Sequence, residues 1–152
     1  MTDTTQTAVP SLTTLGQYIK DFSFENPNAP ASLGPRSGSP EISITINVNS
    51  QVMEDGNYLI ELTLDGKATE SGTAMFLFEL VYAGLFRPQN IPAENLQALM
   101  MIEGPRLLFP FARQIVADAV RDGGFPPLLI DPIDFASLYR QRLSQIEPVG
   151  NA

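Results

Sequence analysis

The sequence predicts an α+β fold: a four-stranded antiparallel sheet with helices packed on one side, in a single domain. Two observations carry this expectation. As far as Phe86, apolar and polar residues alternate in short runs separated by Gly, Pro and Asn, which is the period of half-buried strands. From about Ala93 the apolar residues recur at three and four positions, which is the period of helices.

The first strand is read in "YIKDFSFENPNAP", Tyr18 to Pro30. Successive side chains on a strand point to opposite faces, so Tyr18, Phe22 and Phe24 are expected to share one face with Lys20. Asp21, Ser23 and Glu25 are expected to share the other with Ile19. Pro27 and Pro30 end the run, and "ASLGPRSGSP" has the composition of a long exposed loop. A second strand follows in "EISITINVN", where Ile42, Ile44, Ile46 and Val48 alternate with Glu41, Ser43, Thr45 and Asn47. "MEDGNY" supplies an Asp-Gly turn, and Tyr58, Ile60, Leu62 and Leu64 mark one face of a third strand. The fourth, "TAMFLFELVYAGLF", differs because both parities are apolar. Phe76, Phe78, Leu80 and Tyr82 take one face; Met75, Leu77 and Val81, interrupted by Glu79, take the other. A strand apolar on both sides is covered on both sides, and the polar faces of the preceding strands favour a subunit or partner contact.

The helical period opens with Leu96, Leu99, Met100 and Glu103, breaks at Pro105 and Pro110, and resumes through Phe111, Ile115, Val116, Ala119 and Val120. "DGG" at 122–124 is a helix stop. A last helix is expected to open with Asp131 as its cap, Pro132 at its first position and Asp134 three residues on. Its apolar stripe is Phe135, Leu138, Tyr139 and Leu143. Residues 1–14 read as a disordered arm, 15–144 as the domain, and 145–152 as a tail without a packing pattern.

Composition closes most routes to enzyme chemistry. The chain of 152 residues has no Cys and no His, so it lacks disulfides, thiolate metal sites, the commonest general base and every Ser–His or Cys–His dyad. A net charge of −8 argues against nucleic acid and favours cationic partners. The longest apolar run is too short to span a bilayer and no targeting segment is visible, so a soluble protein of the cytoplasm is expected, with no direct membrane insertion. "DGKAT" at 65–69 departs from a phosphate loop: Glu61 stands where a Gly is required, and Ala68 follows Lys67. Asp55 and Asp65 each precede a Gly, in turns where Asp is expected. Arg113, one turn after Phe109, reads as a solvated or salt-bridged side chain. Nothing assembles into an active site, and no cofactor is expected.

"YIKDFSFENPNAP" together with "LLFPFARQIVADAVRDGGFPPLLIDPIDFASLY" resembles the bacterial protein-export chaperone family SecB, over about Leu15 to Leu143. "FPFAR" and "GGFPPL" are its specific motifs here. The resemblance implies a cytosolic homotetramer, a dimer of dimers. It implies that unfolded precursors of secreted proteins are bound without ATP, kept unfolded and passed to the motor ATPase SecA. It also implies that Asp21, Glu25, Leu77 and Glu79 form the SecA contact.

Members of the family hold extended clients in grooves of aromatic and aliphatic side chains, for which the candidates are Phe22, Phe24, Phe109, Phe125 and Leu143. Some relatives carry aromatics, Trp included, in the loop before the second strand; "ASLGPRSGSP" has none. Two other readings stay open on the residues alone. One is a small α+β cone that isomerises or dehydrates a hydrophobic ligand with Asp65 and Tyr58 or Tyr82. The other is a purely structural oligomer.

Overall fold

The computed structural model describes residues 9–35 and 38–146. Four strands come first: β1 (Ser11–Glu25), β2 (Glu41–Val52), β3 (Tyr58–Glu70) and β4 (Thr73–Gln89). Two helices follow, α1 (Ala93–Asp122) and α2 (Phe135–Ile146). The strands form one antiparallel sheet in the order β1-β4-β3-β2, so the first two strands lie at opposite edges.

The core lies between the sheet and α1. Ile60, Leu62 and Leu64 of β3, with Phe76, Phe78, Leu80 and Phe86 of β4, are buried on the helix side. Met100, Gly104, Leu108, Ala112, Val116 and Val120 recur every four residues along α1 and are all buried. Gly104 permits close contact, since a Cβ there would lie 2.8 Å from Ile60 Cγ1. Pro105 and Pro110 were expected to interrupt this helix, yet α1 runs through both. Each removes a backbone hydrogen bond, at a cost of about 3 kcal/mol in a helix interior. The buried stripe stays in phase on both sides of the prolines, and Pro105 is itself buried in it; packing outweighs local propensity.

Local geometry revises three further expectations. The β1–β4 register shifts between Ile19 and Asp21, so Lys20 is an unpaired bulge residue. The extra residue reverses the alternation upstream. Ile19 pairs with Tyr82 on the helix side, and Tyr18 pairs with Ala83 on the side of Asp21 and Glu25. Tyr18 therefore does not share a face with Phe22 and Phe24. Next, Asp65–Gly66 is neither a turn nor a phosphate loop, because β3 continues through it to Glu70. The β3–β4 hairpin closes instead at Ser71 and Gly72, with φ of 52° and 80°, as a two-residue turn requires. Finally, α2 is capped by Asp134 and not by Asp131: the Ser137 backbone N–H donates to Asp134 Oδ1 at 3.0 Å.

The ends differ from the expected boundaries. β1 begins at Ser11, inside the expected arm, and α2 reaches Ile146, inside the expected tail. Residues 1–8 and 147–152 lie outside the described residues. The connection from β1 to β2 is mostly exposed, but its first half is pinned to the rest of the fold. Asn26 Nδ2 donates to the Gly123 carbonyl at 3.0 Å, Ser32 Oγ to Asn26 Oδ1 at 2.6 Å, and Asn28 Nδ2 to the Ala74 carbonyl at 2.8 Å.

Candidate functional site

Both helices lie on one side of the sheet, which leaves the odd-numbered face of β3 and β4 open. The antiparallel register assembles this face row by row. Glu25 pairs with Leu77, and Leu77 with Lys67. Ser23 pairs with Glu79, and Glu79 with Asp65. Asp21 pairs with Val81, and Val81 with Thr63. Directly opposed side chains on a sheet have Cβ atoms about 4.5–5.5 Å apart. The four positions implied by the family resemblance, Asp21, Glu25, Leu77 and Glu79, thus lie together on one face of two adjacent strands. Asp21 and Glu25 are roughly 13 Å apart along β1, at about 3.3 Å per residue.

The three acids are exposed and Leu77 is half-buried. Lys20, displaced by the bulge, pairs with Glu61 at 2.5 Å. Its hydrogen bond to Glu61 and the attraction of that carboxylate raise the Lys20 pKa above the ordinary lysine value. Glu61 is thereby compensated. Asp21, Glu25, Asp65 and Glu79 have no ion pair among the described residues. Asp65 was missed because an Asp-Gly pair signals a turn; its parity against Leu62 and Leu64 was the available clue.

The client candidates separate into different places. Phe24 stacks on Phe76 at 5.9 Å, and Phe125 meets the same ring at 5.1 Å. Phe22, opposite Leu80, is half-buried against the core. Phe109 is 7% exposed and packs edge-on against Phe135, in the α1–α2 contact. Leu143 is 45% exposed on α2.

Cavities lie beside β2 on the helix side of the sheet. One of about 180 Å³ lies between Ile42 and the Phe76–Phe125 pair. Another of about 260 Å³ lies between Ile46, Val48 and the α2 residues Phe135, Leu138 and Tyr139. Both are smaller than the roughly 300–1,000 Å³ of an ordinary small-molecule site.

The cone-enzyme constellation does not form. Tyr58 and Tyr82 are buried on the helix side, where Tyr82 donates to Gln17 Oε1 at 3.1 Å; Asp65 is exposed on the opposite face. Burial raises the Tyr82 pKa above its ordinary value. Arg113 is half-buried, and its Nε is buried without a hydrogen-bond partner among the described residues, which departs from a freely solvated side chain. No helix among the described residues is long and apolar enough to cross a membrane.

Comparison with known proteins bears on this geometry. Residues 5–146 match the family described as preprotein translocase subunit SecB. The chain is 60% identical over 141 residues to the protein-export protein SecB of Xanthobacter autotrophicus, covering 93% of this chain and 90% of that relative. It is 58% identical over 139 residues to the one from Azorhizobium caulinodans, covering 91% and 87%. A SecB-like chaperone of Mycobacterium tuberculosis, solved with a peptide from an antitoxin, shares the fold. It superposes with a TM-score of 0.65 at 13% identity, over 80% of this chain and 90% of that one.

Proposed function

This chain belongs to the SecB family of preprotein translocase subunits, and from that premise we propose how its two surfaces divide the work of a protein-export chaperone. On the helix side, unfolded precursors of secreted proteins are held as extended segments. On the open face, Asp21, Glu25, Leu77 and Glu79 dock the motor ATPase SecA. The chain works without ATP, in the cytoplasm, as a homotetramer built from two dimers.

The observation that carries the docking half is the register. Three exposed carboxylates, without an ion pair among the described residues, and one half-buried leucine lie on adjacent strands with no described helix over them. Exposed charges of this kind steer a cationic partner and suppress wrong ones more than they add affinity, while Leu77 supplies apolar contact. The client half is supported by the two small cavities beside β2, one of them bordered by the exposed Ile42, and by the exposed apolar side chains Leu129 and Leu143 elsewhere on the surface. An extended client would be held by many weak side-chain contacts, multiplied by avidity in a tetramer.

The test is a refolding competition. An unfolded secretory precursor is diluted from denaturant with and without this protein, in the absence of ATP, and its folding rate is followed. Slowed folding that saturates near one client per tetramer is expected. An unchanged rate, with the protein folded and oligomeric, overturns the proposal and also separates it from a purely structural oligomer.

A further inference from the structure

We infer that Asp65 is a fourth acidic contact of the docking face, and that Asp65 and Glu79 together hold one arginine side chain of the partner between β3 and β4. The inference rests on the docking reading above and extends it to a residue on a third strand, which neither the resemblance nor the sequence pattern assigned.

Asp65 and Glu79 are paired residues of the β3–β4 ladder, and both are exposed. Like charges directly opposed on a sheet are destabilising. Neither carboxylate has an ion pair among the described residues to relieve that opposition. Of the chain's own nearby cations, Lys20 is held by Glu61, and Lys67 lies on the same face one row away, opposite Leu77 and diagonal to Glu79, with no ion pair to either acid among the described residues. The face therefore carries two directly opposed carboxylates, with no ion pair to either among the described residues. A guanidinium presents five donors in a planar fork, enough to serve two carboxylates at once. Seated between the two, it would also remove their mutual repulsion. The two acids then act as one unit in the complex, and losing either forfeits most of what the pair provides.

The experiment measures the affinity of purified SecA for the full chain and for D65N, E79Q, the D65N/E79Q double variant and D65E. E94Q serves as a control, because it changes net charge equally from an exposed position on α1. At low salt D65N is expected to bind about two- to fivefold more weakly than the unaltered chain, the range of an exposed ion pair. That deficit should close at high salt, and D65E should bind nearly normally. The double variant should be weakened by less than the product of the single effects, as residues serving one partner group require. D65N should also melt no lower than the unaltered chain, since it relieves a repulsion.

Normal binding by D65N alongside weakened binding by E79Q overturns this inference alone. So do independent effects that multiply, or a D65N deficit matched by E94Q. No binding of SecA by the unaltered chain overturns the docking reading and this inference with it.

Discussion

The ring of Phe78 lies directly over Gly66 of the neighbouring strand, so close that a Cβ on Gly66 would stand 2.2 Å from Phe78 Cζ. Phe78 is 2% exposed, which leaves its ring nowhere to move. Gly66→Ala is therefore expected to destabilise the fold by about 1–3 kcal/mol, the range for overpacking a core. Urea denaturation checks this; an unchanged midpoint would show that the ring can give way.

Leu77 and the acids around it should fail in different ways. Asp21→Asn and Glu79→Gln are expected to slow SecA association at low salt and to lose that effect as salt rises. Leu77→Ser should weaken docking by a factor that salt leaves unchanged, because its contribution is apolar. Asp21 and Glu79 are exposed, so those two variants should shift stability by no more than about 0.5 kcal/mol, whereas Leu77 is half-buried and its variant should lose some stability as well. Stopped-flow association at several salt concentrations separates the two behaviours. A salt-independent defect in the acid variants would count against steering.

The aromatic and aliphatic client candidates divide by burial. Phe109→Ala empties a site between α1 and α2 and is expected to cost about 3–5 kcal/mol of stability. Leu143→Ala, at a side chain 45% exposed, should leave the denaturation midpoint nearly unchanged and reduce the chaperone's ability to slow precursor folding. If Leu143→Ala retains full holding capacity, that stretch of α2 does not line the client groove.

Stability should carry an acid-sensitive contribution from the start of α2. The Ser137 backbone N–H beside the Asp134 carboxylate holds its pKa below the ordinary value of 3.8. A depressed folded pKa means that the unfolded chain takes up the proton first as pH falls. The contribution is therefore complete above the ordinary carboxylate pKa and is lost as pH drops through the folded one. The stability gap between the unaltered chain and Asp134→Ala is expected to narrow across that acid range. A gap independent of pH would mean the carboxylate charge plays no part in the cap.

Much of this architecture is written in local periodicity. Ile60, Leu62 and Leu64 declare the buried face of β3 by alternation; the two-sided apolar pattern of β4 reads as a subunit or partner contact, and its place between β1 and β3 is known only from the structure. What could not be read were features decided by partners distant in the chain. Pro105 and Pro110 argue for a break, and only the sheet beneath α1 shows why the helix continues. A bulge leaves no reliable mark in composition, so the reversal at Lys20 put Tyr18 and Ile19 on the wrong faces. Asp65–Gly66 has the chemistry of a turn, and it takes the Phe78 ring to explain a Gly in mid-strand. Those two misreadings also concealed part of the open face, because Tyr18 and Asp65 both lie on it.

The strand order has a consequence for how the chain is made. β1 pairs with β4 alone, through partners as far as 78 residues ahead of it. During synthesis none of its ladder can form before residue 77 has left the ribosome. Through that interval Phe22 and Phe24 have no sheet to pack against, and closing so long a loop must precede any reward from contact. A nascent chain of this chaperone thus passes through the same condition as its clients: extended, aromatic and waiting for a surface.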